Sequence, residues 1–151
     1  MRVLVFLYLL PLCYSWPWDR LVGWVQSAGA SVTFRCNGKP FTNARVTMMD
    51  AEPLPGDDDA IGGSVESDKF GKAKVEGSAR EISQIEPYLF IEHDCIGMPW
   101  RFCLFLPPEF VNYGPKAKKY WHIKVELSDF DWMFKKRCRF DIYPGDPIPS
   151  R

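Results

Sequence analysis

The stretch DKFGKAKVEGSAREISQIEPYLFIEHDC, from Asp68 to Cys95, decides the fold. Asp68-Lys69-Phe70-Gly71 has the composition of a tight turn. Lys72 to Glu76 alternates charged with small apolar residues, the period of a strand with one wet face. A polar loop carrying Ile82 and Ile85 follows. Pro87 then opens a hydrophobic strand, Tyr88 to Glu92, which runs into His93-Asp94-Cys95; proline is tolerated at a strand start.

The same period recurs on both sides. Val32, Phe34 and Cys36 alternate with Thr33 and Arg35, so a strand is expected from Ser31, ended by the turn Asn37-Gly38. Arg45 to Asp50 is a second strand with Val46 and Met48 inward, and Gly63 to Ser67 a short third. Beyond Cys95, strands are expected at Trp100 to Leu106, stopped by Pro107-Pro108, and at Lys119 to Leu127. The latter sets Trp121, Ile123, Val125 and Leu127 against His122, Lys124 and Glu126. A last strand from Arg137 to Tyr143 places Cys138, Phe140 and Ile142 on one face. No segment reads as a long amphipathic helix, and about eight short strands separated by turns predict an all-β antiparallel sandwich or barrel.

The 151 residues are enough for one domain with a single core. Arg2 followed by the apolar run Val3 to Leu12, with Cys13 and Ser15 placed before a cleavage point, reads as a secretory signal peptide over residues 1–15. Roughly ten apolar residues are too few to span a bilayer as a helix. The remaining expectation is a Trp-rich lead at 16–30, a folded domain at 31–143 and a Pro-rich tail at 144–151, in a secreted, extracellular chain without a transmembrane segment.

The whole sequence carries 19 basic and 19 acidic residues, and cleavage would remove Arg2 alone, leaving 18 against 19. That balance argues against nucleic acid as partner. Asp57-Asp58-Asp59 form an acidic loop without the spacing of a calcium loop. Basic residues gather towards the C-terminus: Lys116, Lys118 and Lys119, then Lys135, Lys136 and Arg137 after Trp132 and Phe134. These are the candidate interaction surface, since lysines beside aromatic rings suit an anionic partner. The same rings could instead cover a sheet edge.

Of five cysteines, Cys13 would leave with the signal peptide. Cys36, Cys95, Cys103 and Cys138 then form two disulfides with three connectivities open. The expected pairing is Cys36 with Cys138, tying an early strand to the last, and Cys95 with Cys103, closing a hairpin. A zinc site with His93 is disfavoured because Cys95 and Cys103 are too widely spaced. No metal or cofactor is expected.

Taken together, Cys36-Asn37-Gly38-Lys39-Pro40, Asp68, Gly71, Gly77, Glu81-Ile82, Ile85, Pro87-Tyr88-Leu89, His93-Asp94-Cys95, Cys103 and Arg137-Cys138 resemble the transthyretin-like family of secreted nematode proteins. The resemblance spans about Val32 to Cys138 and implies a transthyretin-type β-sandwich. The nearest enzymes by fold, the 5-hydroxyisourate hydrolases, use histidines, an arginine and a C-terminal Tyr-Arg-Gly-Ser. This chain ends Ile148-Pro149-Ser150-Arg151 and has no histidine between Ser31 and Cys36, so that activity is not expected. Hydrolase elbows, zinc-protease helices and phosphate loops are also missing from the sequence. His93 and Asp94, as strand neighbours, face opposite ways; His93 shares the face of Leu89 and Ile91 and reads as a buried structural histidine. The expectation is a non-enzymatic binding module that recognises an extracellular protein, lipid headgroup or glycan. A carrier of a small hydrophobic ligand is the alternative, and the sequence leaves the oligomeric state open.

Overall fold

A computed structural model describes residues 23–51 and 58–129, together with Cys138. Among these residues, nine strands form two packed sheets: β1 (Trp24–Cys36), β2 (Lys39–Pro40), β3 (Arg45–Asp50), β4 (Asp59–Glu66), β5 (Lys72–Glu81), β6 (Pro87–His93), β7 (Trp100–Phe105), β8 (Asn112–Tyr113) and β9 (Trp121–Glu126). In the first sheet, β1 is central, flanked by antiparallel β5 and parallel β9, with β2 and β8 as short additions. The second runs β4-β3-β6-β7, antiparallel throughout.

The expected all-β sandwich is thus the observed fold, with one local difference. The β1–β9 pair is parallel, so the chain crosses the molecule between them instead of returning through a hairpin. Alternation along each strand gives no direction, which is why the sequence pattern could not show this.

Val32 and Phe34 of β1 and Val75 of β5 meet Val46, Met48, Leu89, Ile91, Phe102 and Leu104 of the second sheet, all buried. These are the inward positions set by alternation, and truncating one of the large side chains to alanine costs about 2–5 kcal/mol. Asn37 and Gly38 make the β1–β2 turn with positive φ, 51° and 76°, the left-handed geometry that Asn-Gly provides. The sheets join at one corner, where Gly62 of β4 pairs with Gly77 of β5. A Cβ on Gly62 would fall 2.4 Å from the Glu76 carbonyl oxygen and one on Gly77 2.6 Å from that of Ile61, so this crossing needs both glycines.

Three strands run further than their alternation indicates. β1 starts at Trp24 rather than Ser31, and β5 continues through Gly77 to Glu81; the two extensions pair with each other, Trp24 with Glu81 and Ala28 with Gly77. β4 starts at Asp59 rather than Gly63. The added β1 residues, Ser27-Ala28-Gly29-Ala30, are uniformly small, so they show no apolar–polar contrast although all are buried. Buried Gln26 pins the loop after β5: its Nε2 donates to the Ser83 carbonyl at 2.6 Å, and its Oε1 accepts from the Ile85 amide at 3.3 Å.

Cys36, Cys95, Cys103 and Cys138 are all bonded, but the expected pairing is corrected. Cys36 joins Cys95, and Cys103 joins Cys138. His93 pairs with Trp100 and Phe90 with Cys103, so Cys103 lies three rungs, about 10 Å, down the β6–β7 ladder. Cys95 lies beyond the opposite end of that ladder, too far for a bridge whose Cα atoms must sit within about 7 Å. It meets Cys36 at the end of β1 instead, with Cα atoms 5.8 Å apart.

Candidate functional site: the cationic face of the first sheet

With Ala30, Val32 and Phe34 facing the core, Ser31, Thr33 and Arg35 face outward, and strand register carries their neighbours with them. Ser31 lies between Lys74 of β5 and His122 of β9. Thr33 lies between Lys72 and Lys124. Arg35 pairs with Glu126. The outer face therefore has a central line of two hydroxyl residues bordered on both sides by exposed basic residues.

One end of this line is roofed by the loop before β9. Tyr120 and Ala117 pack over Gly29, where a Cβ would fall 2.7 Å from the tyrosine ring. Lys74 Nζ stands 4.0 Å from the centre of that ring, a cation–π contact. The Tyr120 hydroxyl donates to Glu76, which, with smaller contributions from burial and the charge of Glu76, holds the phenol above its ordinary pKa. The same loop carries Lys116, Lys118 and Lys119, all exposed.

At the other end Glu126 is engaged by the β1–β2 turn. It accepts from the Gly38 amide at 3.1 Å and from the Ser128 hydroxyl at 2.6 Å. Burial raises its pKa, but these hydrogen bonds and those from the Ser128 and Asn37 amides outweigh it, and the net shift is downward. Both carboxylates on the face are thus committed to local hydrogen bonds. Among the described residues, no carboxylate lies within ion-pair distance of Lys72, Lys124, Lys116, Lys118 or Lys119; the ion pairs seen are Arg45–Glu66 and Arg101–Glu92, on the other sheet.

The sequence reading singled out Lys116, Lys118 and Lys119, which are exposed in the loop whose Ala117 and Tyr120 pack over Gly29, and Trp132, Phe134, Lys135, Lys136 and Arg137, which lie outside the described residues. It missed Lys72, Lys74, His122 and Lys124. The polar phase of β5 and β9 was legible, but only register shows that the two strands flank β1 on opposite edges and present these residues on one face.

His93 is buried, as expected. Its Nδ1 accepts from the Cys95 amide at 3.3 Å, and the rings of Phe41 and Phe102 meet its ring edge-on. Burial lowers its pKa, opposed in part by Asp94. It borders an open cleft of ≈ 440 Å³ whose charged walls include the two ion pairs, Arg45–Glu66 and Arg101–Glu92. Among the described residues, no group of three or more His, Cys, Asp or Glu is placed to hold a metal ion, and no helix is long and apolar enough to cross a membrane.

Comparison with known proteins identifies the family. The profile of the transthyretin-like family (TTR-52) matches residues 33–101. Transthyretin-like protein 2 of Caenorhabditis elegans is 35% identical over 106 residues, covering 65% of this chain and 72% of its own. Transthyretin-like protein 33 of the same nematode is 30% identical over 102 residues, covering 65% and 71%. Transthyretin-like protein 5 is 27% identical over 129 residues, covering 83% and 88%. Among solved structures, a 9R-lipoxygenase from Cyanothece aligns over 76% of this chain and 17% of its own at 13% identity and a TM-score of 0.35, too slight a likeness to carry any argument. On this profile match and these relatives, the chain belongs to the transthyretin-like family.

Proposed function

We propose that this protein is a secreted, non-enzymatic binding module that engages an anionic extracellular partner through the outer face of the β5-β1-β9 sheet. The observation that carries this reading is the register placing Lys72 and Lys74 on one side of β1 and His122 and Lys124 on the other. Lys72, Lys74 and Lys124, held on one sheet with no carboxylate of the described residues within ion-pair distance, raise the local positive potential and attract negative charge. The two disulfides fit an oxidising, extracellular setting. The carrier alternative draws no support from these rows, which are cationic and hydroxylic rather than apolar.

The test is binding of the oxidised protein to immobilised sulfated, phosphorylated and carboxylated polymers at low and physiological salt. Wild type is expected to bind at least one of them, more weakly as salt rises. Lys72→Glu with Lys124→Glu is expected to abolish that binding. Wild type that binds none, or a double variant that binds as well, overturns the reading.

A further inference from the structure

Resting on that reading, we infer that the face is a trough for a linear sulfated glycan, with the polymer lying along β1. Ser31 and Thr33 are short and half-buried, and they form a hydroxyl-bearing floor. Lys72 and Lys74 rise on one side, His122 and Lys124 on the other, all exposed. The walls stand two strand spacings apart, about 10 Å, and the floor from Arg35 to Gly29 runs about 20 Å. Tyr120 over Gly29 closes one end, and Arg35 beside Glu126 marks the other.

This shape selects among polyanions. A sulfated polysaccharide carries anionic groups on both sides of a flexible chain, so one strand can meet cations on both walls. Its ring oxygens and hydroxyls then lie over Ser31 and Thr33, whose hydroxyls both donate and accept. A membrane presents a plane of headgroups, which would touch the lysine tips and leave the floor unused. The large exposed apolar side chains among the described residues are Trp24, Phe70, Ile82, Met98, Phe105 and Tyr113, and none of them lies in these rows. Among the described residues, these rows therefore lack the apolar side chains by which interfacial proteins enter the headgroup and acyl boundary.

The discriminating variant is Thr33→Tyr, which fills the floor, keeps every charge and suits an outward strand position. Binding is measured against size-fractionated heparin oligosaccharides, their desulfated counterparts and phosphatidylglycerol-containing vesicles, with melting curves confirming that each variant is folded. Wild type should bind the sulfated oligosaccharides more tightly with length until the trough is spanned, and the desulfated ones weakly. Thr33→Tyr should weaken sulfated binding about tenfold or more, a difference of about 1.4 kcal/mol. Thr33→Val, which removes only the hydroxyl, should give a smaller loss and serves if the tyrosine variant does not fold. Sulfated binding unchanged by either Thr33 variant yet lost in Lys72→Glu with Lys124→Glu overturns the trough and leaves the anionic-partner reading intact. Wild type captured by vesicles but not by oligosaccharides assigns the face to a membrane and overturns the glycan. Binding to neither overturns both readings.

Discussion

The ring of Tyr120 occupies the space that a side chain on Gly29 would take: a Cβ built there falls 2.7 Å from a ring carbon. Glycine at this position leaves room for the loop before β9 to pack on the sheet, and that loop carries the exposed Lys116, Lys118 and Lys119. Gly29→Val should therefore destabilise the fold by about 1–3 kcal/mol through overpacking. Adding Tyr120→Ala should recover part of that loss, because the two positions share one volume. Urea unfolding of the single and double variants measures the coupling, and strictly additive losses would show that the ring and the glycine are independent.

Peptide mapping without reduction should find Cys36 linked to Cys95 and Cys103 linked to Cys138. The bridges span 59 and 35 residues, and the chain-entropy model assigns each about 4 kcal/mol. Replacing both Cys36 and Cys95 by serine should lower stability by about 2–5 kcal/mol, the usual loss in a small secreted domain. A Cys95–Cys103 peptide would contradict the β6–β7 register.

What the sequence disclosed, and what it withheld, follows from the range of each interaction. Val32, Phe34, Val46, Met48, Leu89 and Ile91 were legible as core because alternation is local, and all six are buried. The Asn37-Gly38 turn was legible because its geometry depends on those residues themselves. The start of β1 was not, since Ser27 to Ala30 are small and signal no face. Parallel pairing of β1 with β9, the Cys36–Cys95 bridge and the joining of Lys72 with Lys124 across Thr33 all depend on contacts far apart in sequence. The family resemblance correctly implied the sandwich, but it carried no information about the charge of one outer face.

Stability should fall as the medium is acidified, with His93 one named contributor. Burial lowers its folded-state pKa, against the partial opposition of Asp94, while its unfolded value stays near about 6.5. The unfolded chain then binds more protons than the folded one between the two values, so stability rises with pH through that window. The contribution is fully present above the unfolded value and is lost as pH falls from there towards the lowered folded value. Comparing unfolding free energies between about pH 7.5 and pH 5 for wild type and His93→Gln checks this, and the variant should show the shallower slope. Equal slopes would mean that His93 is not the group responsible.

The central claim is that location on the β5-β1-β9 face, not charge alone, determines anion binding. It is tested most directly by comparing two variants with the same change in net charge on opposite sheets. Lys72→Gln with Lys124→Gln neutralises the walls beside Thr33, while Arg45→Gln with Arg101→Gln neutralises two arginines of the second sheet. Measured by calorimetry against one sulfated polymer at physiological salt, the first pair should weaken binding by about tenfold and the second by about twofold or less. Equal losses from the two pairs would contradict the assignment of the binding face.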